Sequence, residues 1–238
     1  MKYTGVISLL SEEEDKKYIY RIISFDHLVE WFETKKLPLL SPSKWEDPFE
    51  KFLMEAIFPS KEILKYEKGR MYGLCFSLDG ISDALWRIYS HNQFGIRIKT
   101  TADLLSRAIS TAPTLVNGRT YIGKVNYCGS DKLKEHARTI KNILEKTLDT
   151  KSVAETMLLK RTPFQHEKEI RVLHLTDDNN QRDDLLYFDI DPHTVIKTIL
   201  LDPRATDQRV KALTRLFRDI YKFTGSIKQS ETYKVPKL

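Results

Sequence analysis

Three strand-like runs, Lys168–Leu175, Leu185–Ile190 and Val195–Leu201, follow one another late in the chain. The segments between them are shorter than the dozen or more residues that a helical crossover needs. Neighbouring strands here must therefore pair antiparallel or join a mixed sheet, and a doubly wound βαβ arrangement does not fit. Helical periodicity dominates the first two-thirds of the chain. Together these patterns predict an α+β fold, a mixed or antiparallel sheet flanked by helices. No internal repeat, low-complexity tract or Pro/Gly/Ser-rich linker interrupts the 238 residues, so residues 1–238 read as a single domain.

The first strand is predicted over Lys17–Ser24, with Tyr18, Tyr20 and Ile22 on one face and Ile19, Arg21 and Ile23 on the other. Asp26 is placed to cap a short helix carrying Leu28 and Phe32, which stops near Pro38. In Asp47-Pro48-Phe49-Glu50 a cap, a first-turn proline and a capping-box glutamate open a helix with Phe52, Leu53, Ala56 and Ile57 on one stripe. Met71–Leu78 reads as a strand, Ser82–His91 as a helix and Phe94–Lys99 as a strand. Thr100 with Asp103 opens a helix to about Ser110, and Thr120–Tyr127 is a strand. Helical spacing then runs from Ser130 to Arg161 with a break near Asp149. The last helix, Thr206–Phe223, stops at Gly225 before a short strand within Ser226–Tyr233.

Several function classes drop out. There is no GxxxxGK[ST] or GxGxxG phosphate cradle, no GxSxG elbow and no HExxH. The six histidines show no metal-ligand spacing. No apolar run approaches the roughly 20 residues of a membrane span. Met1–Asp15 lacks the apolar core and cleavage site of a signal peptide. Cys75 and Cys128 lie far apart with no CxxC, which suits a reducing compartment, so a cytoplasmic location is expected. Net charge is +6, and from Asp202 onward nine basic residues stand against four acidic ones. A basic end attracts polyanions, or it is a solvated helix face; no aromatic residues alternate with the basic ones.

The most suggestive segment is Glu167-Lys168-Glu169-Ile170-Arg171. On a strand, Ile170 and Val172 face the core, and Glu167, Glu169 and Arg171 share the opposite face. Paired carboxylates at a cleft serve acid/base or cation-stabilising chemistry; the plain alternative is that Arg171 neutralises Glu169 on a solvated surface. Arg21, between Ile19 and Ile23, offers a planar five-donor fork for pyrophosphate or carboxylate, or pairs with a carboxylate such as Glu169. Trp86, Tyr89 and Phe94 form an aromatic group that either packs in the core or stacks on a planar ligand. Asp189 and Asp191 share a strand face without a third ligand, so no metal site is assigned. Asp47 either caps its helix or bonds a ligand hydroxyl.

Taken in order, Tyr20-Arg21 with Phe25 and Leu28, Leu37–Leu40, the run from Ser41 to Glu50, Cys75-Phe76-Ser77, Leu85-Trp86 with Tyr89 and Gly95-Ile96, and Glu167 to Arg171 resemble DUF2971, a bacterial and phage-encoded domain family of unknown function. The resemblance extends from about Tyr18 to Phe223. An aromatic-Arg pair on the first strand, a serine ending a middle strand and a late Glu-x-Glu are also similar to the Arg–Ser–Glu pattern of ADP-ribosyltransferases, although Ser77-Leu78-Asp79 stands where toxins of that group have Ser-Thr-Ser. That second resemblance implies a split sheet and NAD as substrate. Tyr20 and Arg21 would hold the NAD phosphates or ribose, and Ser77 would brace the site. Phe76, Trp86 or Tyr89 would flank nicotinamide. Glu169 would bond the ribose 2′-hydroxyl, and Glu167 would assist the acceptor.

Three readings follow. The first is an NAD-consuming enzyme, ADP-ribosyltransferase or NAD glycohydrolase, acting as a toxin or phage-defence effector on a nucleic-acid or protein acceptor. The second is a nucleic-acid-binding protein or nuclease using the basic C-terminal helix and Asp189/Asp191. The third is a non-catalytic phage or host interaction module. Under the first, Glu169→Gln is expected to abolish turnover with little loss of stability.

Overall fold

The computed structural model describes residues 5–45, 47, 50, 71–112, 117–144, 149–176 and 183–235. Its strands, in chain order, are β1 (Val6–Ser8), β2 (Tyr18–Ser24), β3 (Lys36–Leu40), β4 (Met71–Ser77), β5 (Gly95–Thr101), β6 (Arg119–Lys124), β7 (Asn126–Cys128), β8 (Leu159–Arg161), β9 (Glu169–Leu175), β10 (Leu185–Asp189), β11 (Thr198–Leu201) and β12 (Ser226–Gln229). Ten of them form one mixed sheet whose main path runs β1-β6-β9-β4-β2-β5-β11-β12, with β3 and β10 branching off at β4. β7 and β8 make a separate parallel pair. The fold is α+β, as the late strand cluster predicts.

Alternation along the central strands gives the sheet a core on each face. Ile170 and Val172 of β9 enter the larger core with Ile19, Leu28, Trp31, Phe32, Leu74 and Phe76. Leu173 and Leu175 point the other way, onto Met71, Tyr121, Leu133, Val153 and Met157. Each such side chain, fully buried, stabilises by roughly 1.5–3 kcal/mol. Leu133 and Val153 belong to the helices Ser130–Leu144 and Thr150–Thr156, which connect β7 to β8.

The feature that shapes the site is a split at β4. One edge of β4 pairs with β9 over its whole length, from Met71 opposite Leu175 to Ser77 opposite Glu169. The other edge meets β3 only where Gly73 faces Leu40, and β2 only where Ser77 faces Tyr20. Between these contacts Leu74, Cys75 and Phe76 have no strand on this second edge among the described residues. Gly73 makes the first contact possible, because a Cβ there would collide with the Trp45 ring.

Several boundaries differ from expectation. Ser24, not Asp26, caps the helix Phe25–Thr34, accepting from the His27 N–H; Thr101, not Thr100, caps Ala102–Ser110. In both cases the strand runs straight into the helix, and its last hydroxyl is the one at the right spacing. The predicted strand Thr120–Tyr127 is two strands, bent at Val125, whose N–H bonds the Glu169 carbonyl while Asn126 turns to Leu158. The long helical pattern ends at Thr156, and β8 follows instead. The last helix, Asp207–Arg215, runs into a π-helical turn over Leu216–Ile220 and leads to β12, parallel to β11, so helical crossovers join parallel strands here as they do between β7 and β8. The helix expected after Glu50 lies outside the described residues.

Candidate functional site

At the split, a cavity of about 570 Å³ is lined from β2 by Tyr20 and Arg21, from β4 by Cys75, Phe76 and Ser77, and from the helix Asp83–Tyr89 by Trp86 and Tyr89; Glu167 and Glu169 also line it. The eight residues to which the second resemblance gives roles therefore border one hollow, whereas Phe94, Asp189 and Asp191 do not line it. The environments of the eight differ.

Arg21 sits where the sheet is open. Its Nη1 donates to the Cys75 carbonyl at 2.7 Å, a backbone acceptor that no strand reaches. It makes no ion pair among the described residues, so the expected pairing with Glu169 does not form. Burial pulls its guanidinium below the usual range, against the nearby Cys75, Tyr89 and Glu169. The cavity thus holds a cation that, among the described residues, uses one of its five N–H donors.

The carboxylate end is built differently from the predicted strand face. Glu167 closes the 3-10 turn Thr162–Glu167, and Lys168 takes a left-handed conformation (φ 45°) before β9 begins at Glu169. That turn brings the two carboxylates onto a common partner. Lys160 Nζ donates to Glu167 Oε2 at 2.5 Å and to Glu169 Oε1 at 2.6 Å. Arg171 Nε takes Glu169 Oε2 at 2.7 Å, its Nη1 donates to the Met157 carbonyl at 2.6 Å, and its Nη2 reaches Glu50. Tyr89 Oη donates to Glu167 Oε1 at 3.1 Å. None of Glu50, Lys160, Glu167, Glu169 and Arg171 is more than 8% exposed, so the Glu169–Arg171 pair is buried and not on a solvated surface. Lys168, which sequence places beside the pair, points away to Asp79.

These contacts set the charges. Burial alone would raise Glu169, but the Arg171 charge, hydrogen bonds with Glu167 and Arg171, and Lys160 outweigh it and hold the carboxyl well below the usual carboxylate range. Glu167 is pushed up to about 7, by burial first and then by its hydrogen bond to Glu169, with Lys160 opposing. Lys160 stays a cation, because both carboxylates outweigh the burial that would lower it. Cys75 is pushed up to about 12 by burial and the Glu169 charge, which leaves it an inert thiol at neutral pH.

Ser77 Oγ donates to the Glu167 carbonyl at 2.6 Å and accepts from the Asp79 N–H at 2.9 Å, tying the end of β4 to the turn that carries Glu167. Trp86 and Phe76 are buried in the packing, whereas Tyr89 is 50% exposed and is the freest of the three rings. Arg97 lies 5.0 Å from the Tyr20 ring centroid, and Arg171 lies 4.5 Å from that of Trp45.

Sequence reasoning missed Lys160. The helical spacing continued to Arg161 hid it, although the unbroken apolar run Met157-Leu158-Leu159 ahead of Thr162-Pro163 is a strand signal. Asp191 caps the helix Pro192–Val195 and pairs with Lys35 at 3.0 Å, while Asp189 ends β10. Among the described residues no group of three metal-binding side chains occurs. Basic residues of the C-terminal region are engaged locally: Arg204 pairs with Asp202 at 2.8 Å, Arg209 lies 3.8 Å from the Phe94 ring centroid, Arg218 donates to the Phe223 carbonyl, and Lys234 pairs with Glu231 at 2.8 Å. No helix among the described residues is long and apolar enough to cross a membrane.

A family model described as a protein of unknown function, DUF2971, matches residues 85–172, a little over a third of the chain. Two solved structures of DarT from Thermus sp. 2.9 are similar at low identity. One, in complex with ADP-ribosylated ssDNA, is 13% identical with a TM-score of 0.43, over 97% of this chain and 98% of that one. The other, in complex with NAD+, is 11% identical with a TM-score of 0.41, over 90% and 96%. No curated protein matches.

Proposed function

We propose that this chain is an NAD-consuming enzyme of the ADP-ribosyltransferase kind, binding NAD in the split-sheet cavity and breaking its nicotinamide–ribose bond. The observation that carries this is the pairing, across one cavity, of Arg21, a cation without an ion-pair partner among the described residues, with the Glu167/Glu169 carboxyls. A volume of about 570 Å³ falls in the range of small-molecule and cofactor sites.

Arg21 bonds the pyrophosphate, for which its free N–H groups form a planar fork. Tyr89, the exposed ring, flanks nicotinamide. Both Glu169 oxygens already accept one bond from a cation, and each keeps a lone pair for the ribose 2′-hydroxyl. As the bond breaks, its electron pair leaves with the nicotinamide nitrogen and positive charge grows on the ribose carbon. The fixed Glu169 charge stabilises that cation in a water-poor site. The acceptor then gives an electron pair to the same carbon and its proton to Glu167, whose raised affinity for protons suits a base at neutral pH.

Purified protein incubated with NAD should release nicotinamide. Arg21→Ala should raise KM at least tenfold and leave the fold intact, since Arg21 contributes one hydrogen bond to it. Undetectable release at any NAD concentration would overturn the assignment. One observation favours a second reading: Glu169 is held by two cations, as in a purely structural cluster. A binding module would retain NAD without releasing nicotinamide, which equilibrium dialysis with labelled NAD separates from turnover.

A further inference from the structure

We infer that Lys160 is a positioning residue that clamps Glu167 and Glu169 into one site, where Arg171, bonded to Glu169 and not to Glu167, keeps Glu169 the standing anion and leaves Glu167 as the group that exchanges a proton with the cavity. The contacts are unequal. Lys160 bridges both carboxyls, at 2.5 and 2.6 Å. Glu169 has a second cation in contact, Arg171 Nε at 2.7 Å. Glu167 has Lys160 alone, together with the neutral phenol of Tyr89.

The charged neighbours divide unevenly between the two carboxyls, and among the described residues only Glu50 opposes the cations at Glu169 from outside the pair. Arg171 is shared between Glu169 and Glu50, and its Nη1 also donates to the Met157 carbonyl. Arg21 and Cys75 act on Glu169 from β2 and β4, and Tyr127 accepts from the Glu169 N–H from β7. Arg161 is turned to Asp47 at 2.6 Å and Lys168 to Asp79 at 3.3 Å, so neither adds a cation to Glu167. Three buried carboxyls thus share two directly bonded cations: Glu169 touches both, Glu50 only Arg171 and Glu167 only Lys160, and of the three it is Glu167 that also touches Tyr89. Two carboxyls in one site whose surroundings drive their proton affinities apart are the usual arrangement of an acid/base pair.

The role of Lys160 in chemistry rests on the NAD reading above, but its effect on the proton does not, and the test reads that effect without NAD. Carboxyl carbons of the full chain, labelled with ¹³C-glutamate, are followed by NMR from pH 4 to 9. One buried carboxyl should titrate near neutrality; its signal should vanish in Glu167→Gln and persist in Glu169→Gln. Lys160→Met should move that midpoint up by at least one pH unit, and Lys160→Arg, which keeps the cation, should restore most of the shift. If the neutral titration belongs to Glu169, or none exists between pH 5 and 9, the inference is overturned. Should Lys160→Met not fold, the Lys160→Arg midpoint and the two glutamine variants still decide it. In an active protein the acid limb of the pH–rate profile should move with the NMR midpoint; an intact NMR result with no nicotinamide release would remove only the NAD reading.

Discussion

At Glu169 one carboxylate carries two duties, and they separate in a mutant. Its oxygens neutralise Lys160 and Arg171 inside the protein, so Glu169→Gln leaves both cations short of charge in a buried place. Breaking a buried pair from one side costs about 3–5 kcal/mol. The sequence-based expectation of little stability loss is therefore revised: Glu169→Gln should lower the urea midpoint markedly as well as stop nicotinamide release. A midpoint equal to wild type would show that Glu167 and Glu50 suffice to neutralise the two cations. Arg21 was legible from sequence because period-two alternation puts it between Ile19 and Ile23, where an arginine needs a reason. Lys160 was not, because its only cue was drowned by helical spacing on the preceding turns. Of its two alternatives, the pairing with Glu169 does not form; the contact Arg21 makes instead is to a backbone carbonyl that only the tertiary fold leaves bare.

Among the elements, β4 does most to place the site, and Gly73 and Ser77 mark its two anchoring points. Gly73 lets the Trp45 ring come close against the strand, where that ring also faces Arg171. Gly73→Ala should displace Trp45, destabilise by about 1–3 kcal/mol as overpacking does, and loosen the Arg171 end of the cluster. The check is a urea melt read by tryptophan fluorescence; an unshifted midpoint with native emission would mean that Trp45 moves aside freely. Strand identities were readable wherever alternation or β-branched runs were strong, as in β2, β4 and β9. What the sequence withheld was partnership. Nothing local says that β2 and β3 share one edge of β4, because pairing is decided by contacts far apart in the chain. For the same reason the bend at Val125, which sends β7 away to pair with β8, could not be read from a continuous strand pattern.

For the molecule as a whole, the carboxyl cluster ties stability to pH with a definite sign. Glu167 holds its proton more tightly folded, at about 7, than at its ordinary value of 4.5. Its contribution is full below about pH 4.5 and is lost as the pH rises through 7, an effect on the order of 3 kcal/mol. Glu169 has the opposite sense: its contribution is present above its ordinary value and is lost as the pH falls toward its lowered one. Stability should peak in mildly acidic solution and decline toward pH 8. In Glu167→Gln the decline between pH 5 and 8 should flatten, as followed by urea midpoints across the range. A wild-type profile level from pH 5 to 8 would rule out Glu167 as the source.

The unpaired stretch of β4 ties ligand entry to the upkeep of the scaffold. The Cys75 carbonyl is kept hydrated, in effect, by a guanidinium standing in for a missing strand. A guest that bids for that same Nη1 must either leave it in place and use the other N–H groups, or bring a donor of its own to the abandoned oxygen. Acceptor-only anions such as inorganic pyrophosphate satisfy just the first option, whereas a guest with an amide or hydroxyl beside its phosphates satisfies both. Selectivity for nucleotide-like guests over bare phosphates would then originate in a gap in the backbone ladder.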